Sequence, residues 1–318
     1  MNGRASISLL SVFKILAWLA LGIGGLTLAT LPESAPVLVM IGLGSAFWPL
    51  AVAERRARGT ALRPMIAWAL LSVALGMIAQ GVARDGPVSS GRPAAGAWAY
   101  LAMLASLAAT ITACNARRPG GGAWAILMGL LILVFCIPWL EGSGLAQRGA
   151  RWGPPRLDAP WNWFLGVLIV AGATNYAPTR YGAAALVLAL SMALAGFARG
   201  RPSIEASMAS VAPWGMALAI WTAEACSRGS RGPAGTDRLW HWFRDHWGVV
   251  WALRVQDRFN RAAETGSWGV RLGWFGLEPH ASAFAANAPE AAEATLQGLL
   301  RRFADAERIG AEARATPP

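Results

Sequence analysis

Residues 95–114 read AGAWAYLAMLASLAATITAC, a run of 20 residues without one charged side chain. Twenty residues in an α-helix are about 30 Å long, which matches the hydrocarbon core of a bilayer. Soluble proteins rarely contain an uncharged apolar stretch of this length. The stretch therefore predicts a helix that crosses a membrane.

Seven further segments have the length and the apolar composition that a bilayer requires. They lie at about 9–31, 35–53, 64–82, 123–140, 160–176, 181–198 and 205–226. Together with 95–114 they predict an all-α fold, a polytopic transmembrane helix bundle of about eight spans within residues 1–226. Residues 227–318 contain no such segment and are predicted to form a small, mostly helical C-terminal tail in the cytoplasm.

The composition favours lipid over water as the surroundings of the bundle. Hydrophobic residues make up 55% of the 318 residues and charged residues 14%, against about 25% charged residues in an ordinary soluble domain. The net charge is +11, of which +9 lies in residues 1–226, between the apolar segments. Basic loops of this kind control topology and contact anionic lipids. We predict the lipid bilayer as a partner and exclude nucleic acid, because no basic run contains interleaved aromatic residues.

The distribution of arginines among the short loops predicts the orientation. One side of the bundle collects ten arginines and the other side seven, and the dense loop Glu54–Arg63 decides the comparison because it contains four of the ten. The side with more basic residues is expected to face the cytoplasm. Both termini are therefore predicted to be cytoplasmic, in a multi-pass protein of the cell membrane, and specifically of a bacterial inner membrane.

The loop Glu141–Ala159, on the opposite side, offers two interpretations. Indole rings favour the membrane–water boundary, so the tryptophans in and beside this loop are expected to anchor the chain there; they are Trp139, Trp152, Trp161 and Trp163. Alternatively, the charged residues of the loop form an extracytoplasmic anion-binding site, made of Arg151, Arg156 and Asp158.

The tail begins with a tryptophan-rich segment at about 237–262. On a helical wheel Trp240, Trp242, Trp247 and Trp251 share one broad face with Val250 and Leu253, whereas Arg238, His241, Arg244 and Asp245 lie opposite. This pattern predicts an amphipathic helix, which either lies along the inner leaflet or docks on the spans. A second helix is predicted at about 288–304, one short strand within 268–277, and no regular structure over 311–318.

Few residues of the chain suit metal or cofactor chemistry. The three histidines, His241, His246 and His280, all lie in the tail, which excludes a haem held by two histidines inside the bundle. His241 and His246 are five residues apart and point about 140° away from one another on a helix. The three cysteines are scattered along the chain. We therefore predict no metal and no cofactor.

Ionisable residues are also scarce within the predicted spans. Lys14 and Glu224 lie about one turn from the ends of their segments, so no acid lies at mid-membrane to couple transport to an ion gradient. No Ser/His/Asp or Cys/His arrangement falls within the spans. The sequence therefore favours a non-enzymatic scaffold or assembly factor whose tail contacts the inner leaflet or a protein partner. The alternatives are a passive or lipid-type transporter, which requires a cavity between the spans, and a membrane enzyme acting at the extracytoplasmic face.

Overall fold

The structure is a computed structural model that describes residues 35–84, 95–117, 121–142, 157–198, 202–227, 235–279 and 288–314. These residues form ten α-helices and one small antiparallel sheet of two strands. The chain is therefore essentially all-helical within the described residues, as the apolar segments of the sequence predict.

Seven helices make up the bundle. They are α1 (Ala35–Ala57), α2 (Arg63–Arg84), α3 (Ala95–Cys114), α4 (Gly121–Gly142), α5 (Ala159–Tyr176), α6 (Gly182–Ala198) and α7 (Pro202–Ser227). Each coincides with a predicted span to within a few residues, and the predicted span at 9–31 lies outside the described residues. By length and composition α1, α2 and α3 can cross a membrane, and shorter apolar helices lie at Ile126–Glu141 and Gly182–Phe197. This is a membrane protein with at least three helices of spanning length.

Six of these helices form a closed ring in the order α3, α2, α1, α7, α6 and α5, and α5 returns to contact α3. The remaining helix, α4, packs on the outside of α3. Large apolar side chains on the outer surface are exposed: Ile126 is 75% exposed, Val167 62% and Leu186 68%. In water such a surface is costly, whereas in a bilayer it contacts lipid chains.

The half of the ring that lies away from the tail is tightly packed through small residues. A Cβ atom added at Gly215 of α7 would overlap Ser191 of α6, and one at Gly76 of α2 would lie 3.2 Å from Leu43 of α1. The buried hydroxyl of Ser72 donates a hydrogen bond to the Ala102 carbonyl at 2.7 Å. Small residues and interhelical hydrogen bonds are what hold helices together in lipid.

The tail contains α8 (Thr236–Thr265), a hairpin of β1 (Val270–Gly273) and β2 (Gly276–Pro279), α9 (Ala288–Leu300) and α10 (Ala306–Arg314). The sequence predicted one strand where the structure has two, because the Gly273-Trp-Phe-Gly276 turn reverses the chain after four residues. It also missed α10, which extends to Arg314 within the segment that was predicted to lack regular structure.

The helical wheel of α8 is wrong in detail because the helix is broken. Gly248 has φ 75° and ψ −174°, so two helices meet there at a kink. Beyond the kink the phase of the wheel changes, and Val250 and Leu253 are 41% and 52% exposed instead of buried. Arg238 and Asp245, which the wheel placed on the polar face, are 2% and 4% exposed because the tail folds around them.

Candidate binding cleft beneath the docked tail

The tryptophan-rich face of α8 is buried inside the protein. Trp240 and Trp247 are 0% exposed, Trp242 is 3% exposed and Trp251 8%. They share one hydrophobic core with residues of α9 and α10 and with the tail-side ends of α2 and α3, including Ala113. Of the two arrangements that the sequence left open, the structure has the helix docked on the bundle; these indoles do not lie on a lipid surface.

Two of the indoles also bond to backbone carbonyls at the C-terminal end of α3 and just beyond it. The Trp247 Nε1–H donates to the Ala116 carbonyl at 3.0 Å, and the Trp251 Nε1–H donates to the Cys114 carbonyl at 2.8 Å. The last carbonyls of a helix have no partner within the helix, and leaving them unpaired in an apolar core is costly. The tail therefore caps α3, which requires indole rather than phenyl rings at these positions.

The kink in α8 is held by Asn175 from the end of α5. Its Oδ1 accepts a hydrogen bond from the Val250 N–H at 3.0 Å, and its Nδ2 lies 3.5 Å from the Trp247 carbonyl. These are backbone groups on either side of Gly248, where the regular helical hydrogen bonding is interrupted. The neighbouring Tyr176 hydroxyl donates to the His246 carbonyl at 3.0 Å. The end of α5 thus binds the backbone of α8 at its break.

Replacing Asn175 by alanine is expected to weaken the docking of the tail. The change leaves the Val250 N–H without its acceptor, at a cost of about 1–3 kcal/mol. Hydrogen exchange of the α8 amides in the detergent-solubilised protein measures this loss, as faster exchange around residue 250. Thr174→Ala is the matched control, since the Thr174 hydroxyl is exposed and bonds only within α5. Equal exchange in the two variants would show that Asn175 does not hold the kink.

A second contact joins the tail to the loop between α1 and α2. The Ala61 N–H donates to the Phe303 carbonyl, and the Asp305 N–H donates to the Gly59 carbonyl, both at 2.8 Å. The residues that follow α1, α3 and α5 therefore all lie against the tail, on one side of the bundle. A chain in which each successive helix reverses direction places alternate loops together in this way.

Between the tail and the ring lies an open cleft with a volume of about 290 Å³. Every ring helix contributes to its walls, for example through Leu50, Met65, Thr110, Gly172, Ala185 and Ala223. The tail closes one end with Trp242, His246, Trp247 and Arg308. Alanine and glycine line much of the wall, and their small side chains leave a space between the helices that larger side chains would fill.

The polar groups of the cleft are concentrated at the end nearest the tail. There the Arg56 Nη1 donates to the Ser227 hydroxyl at 3.1 Å and lies 3.5 Å from the Glu224 carboxylate. Arg308 of α10 lines the same cleft and donates from Nη2 to Glu312. The cleft thus has a long apolar section between the helices and a short charged section at the tail.

His246 and Tyr181 form a second polar pair in this lining. The His246 Nδ1 lies 2.7 Å from the Trp242 carbonyl, which can only accept, so Nδ1 carries the hydrogen. In a neutral ring Nε2 is then an acceptor, and it lies 3.5 Å from the Tyr181 hydroxyl. His241 bonds elsewhere, to the Phe275 carbonyl of the hairpin. Among the described residues no group of three or more His, Cys, Asp and Glu side chains could hold a metal.

The predicted anion-binding site lies mostly outside the described residues and stays a prediction. Arg151 and Arg156 lie outside the described residues, whereas Asp158 is an exposed residue at the N-terminal cap position of α5 and makes no side-chain cap hydrogen bond. The cleft was not predicted from the sequence. Its polar end combines residues from α1, α7, α8, α10 and the turn before α6. The spans are rich in alanine, but alanines suit close packing of helices as well as a cleft.

Comparison of the chain with protein-family models, with curated proteins and with solved structures found no match. The geometry of the described residues is therefore the basis for a functional proposal. That geometry consists of a ring of helices, a tail docked on one end of the ring, and a cleft between them that has apolar walls and a charged end.

Proposed function

We propose that the protein is a multi-pass membrane protein that binds a lipid-like amphiphile in this cleft, as a lipid-type transporter or lipid-handling protein does. The observation that carries the proposal is the polarity of the cleft, with apolar side chains between the helices and Arg56, Glu224 and Ser227 at the tail. Small-molecule sites are concave and mostly apolar, with a few polar groups that fix orientation. A cleft between helices suits a transporter or lipid-handling protein better than a scaffold.

The proposed topology has more membrane-spanning helices than the three whose length and composition suit a bilayer. All seven bundle helices, with the segment at 9–31 as an eighth, are taken to cross a bacterial inner membrane. The tail then lies in the cytoplasm with both termini, because the basic loop Glu54–Arg63 lies on the side of the bundle that holds the tail. In this orientation the charged end of the cleft lies at the level of the inner-leaflet headgroups.

The length of the cleft is close to the thickness of the hydrocarbon layer of one leaflet. Along α6 its lining extends from Ala184 to Met192, about 12 Å at 1.5 Å per residue. One leaflet contributes about 15 Å of a hydrocarbon core about 30 Å thick. The volume of about 290 Å³ lies at the lower end of the range for small-molecule pockets, roughly 300–1,000 Å³. We therefore propose that the cleft holds one acyl chain of an amphiphile from the inner leaflet.

A scaffold or assembly factor is the second candidate, and the hairpin is what favours it. Phe275 at the hairpin turn is 80% exposed, and such a side chain suits contact with a protein partner. The tryptophan face of α8 does not add to this surface, because the tail itself buries it. An enzyme at the extracytoplasmic face would depend on Arg151, Arg156 and Asp158, and the geometry of the cleft does not support that role.

Filling the cleft is expected to remove the bound amphiphile. Ala185→Phe introduces a ring into the lining, whereas Ala183→Phe places the same ring on the exposed surface of the same helix. Extraction and mass spectrometry of the detergent-purified protein should find a co-purified amphiphile with the native chain and with Ala183→Phe, and background amounts with Ala185→Phe. If both variants accumulate normally and equal amounts are recovered from them and from the native protein, the amphiphile does not occupy the cleft.

A further inference from the structure

Among the described residues, the charged end of the cleft is lined by two arginines and one glutamate. Arg56 comes from the last turn of α1 and Arg308 from α10, whereas Glu224 of α7 is the acidic residue of the lining. Arg56 already pairs with Glu224 at 3.5 Å. Within the described part of the lining, Arg308 therefore has no further acidic partner; the carboxylate that it pairs with, Glu312, lies behind it in α10 and outside the lining.

Not all N–H donors of Arg308 have an acceptor among the described residues. A guanidinium group has five N–H donors, and the structure gives this one a bond from Nη2 to Glu312. Its Nε–H is buried and has no acceptor among the described residues. Glu312 is itself buried, so the ion pair holds Arg308 in place at the cleft. Phosphate and carboxylate groups match the planar donor array of a guanidinium.

We propose that the cleft selects an amphiphile with an anionic phosphate or carboxylate headgroup, which binds to Arg308 with Arg56 alongside. This inference rests on the proposed function and specifies its ligand class. The headgroup lies at the tail and the acyl chain extends along Ala185 and Leu188 between the helices. A zwitterionic headgroup adds a cation beside two arginines, and it therefore binds less tightly.

The test compares two amphiphiles of equal chain length, dodecyl phosphate and dodecylphosphocholine, by calorimetric titration of the full chain in an uncharged maltoside detergent. The native protein should bind dodecyl phosphate more tightly. Arg308→Gln should lower that preference about tenfold, since it removes a charge-assisted hydrogen bond donor. Glu312→Gln should raise it, because the guanidinium loses the negative charge that neutralises it within α10, although the amide oxygen can still accept its hydrogen bond. Arg314→Gln, which changes an exposed arginine of the same helix, should leave it unchanged.

The outcomes separate this inference from the proposed function. Equal affinity for the two amphiphiles, or an unchanged preference in both Arg308→Gln and Glu312→Gln, would overturn the anionic selectivity while leaving amphiphile binding intact. Inorganic phosphate that binds as tightly as dodecyl phosphate would show a site for a soluble anion instead. Binding of neither amphiphile would overturn the proposed function itself. Arg308→Lys retains the charge and should retain most of the preference, which keeps the test valid if the glutamine variant fails to fold.

Discussion

Replacing Gly248 by alanine is expected to undock the tail from the bundle. Gly248 has φ 75° and ψ −174°, a conformation that essentially only glycine adopts, and it costs a residue with a Cβ atom about 1–3 kcal/mol. The new Cβ would also lie 2.6 Å from the Asn175 carbonyl oxygen, a backbone atom that cannot rotate away, and such overpacking costs about 1–3 kcal/mol. The two costs together give about 2–6 kcal/mol.

Thermal unfolding of the detergent-solubilised protein and hydrogen exchange along α8 measure this effect. Gly298→Ala is the matched control, because Gly298 is an exposed residue within α9 where an added Cβ would meet nothing within 4 Å. Alanine there should stabilise the helix by about 0.5–1 kcal/mol. Native exchange protection of residues 236–265 in Gly248→Ala would contradict the kinked docking described above.

Replacing Trp247 by alanine should destabilise the tail by about 3–5 kcal/mol. The indole is fully buried, and it packs against Phe243, with ring centroids 5.1 Å apart, and against Phe303. The substitution leaves a cavity at the centre of the docked core and also leaves the Ala116 carbonyl without its donor. Thermal unfolding of the variant measures the loss directly.

Trp247→Phe distinguishes the contribution of the aromatic ring from that of its hydrogen bond. It retains an aromatic body but no N–H, so the loss should be smaller, about 1–3 kcal/mol for an unpaired buried carbonyl. Trp163→Ala removes an indole that is 77% exposed on α5 and should leave the exchange protection of α8 unchanged. An equally small effect of Trp247→Ala and Trp163→Ala would contradict a tail held to the bundle by its tryptophans.

The positions of the helices could be predicted from the sequence because one physical requirement dominates them. A segment such as 95–114 must satisfy its backbone polar groups internally in lipid, and only a helix of about that length does so. The predicted bounds of α3 and of its neighbours therefore agree with the structure. Membrane crossing itself is supported by length and composition for α1, α2 and α3.

The docking of the tail was harder to predict because it depends on one backbone angle. A helical wheel assumes a constant 100° per residue, and the positive φ of Gly248 breaks that assumption in the middle of α8. The acceptors of the Trp247 and Trp251 indoles are carbonyls at Ala116 and Cys114, more than 130 residues away in the chain. The cleft was not predictable either, because Arg56 and Arg308 are far apart in the chain and line the same cleft only after it folds.

The measurement that tests the central claim most directly is titration of the purified full chain with an alkyl phosphate that has a brominated chain. Bromine quenches nearby tryptophan fluorescence, and Trp242 and Trp247 line the cleft. We expect saturable quenching in the native protein and in Ala183→Phe, and its loss in Ala185→Phe. Quenching that rises without saturation, or that is identical in all three proteins, would contradict an amphiphile-binding cleft beneath the docked tail.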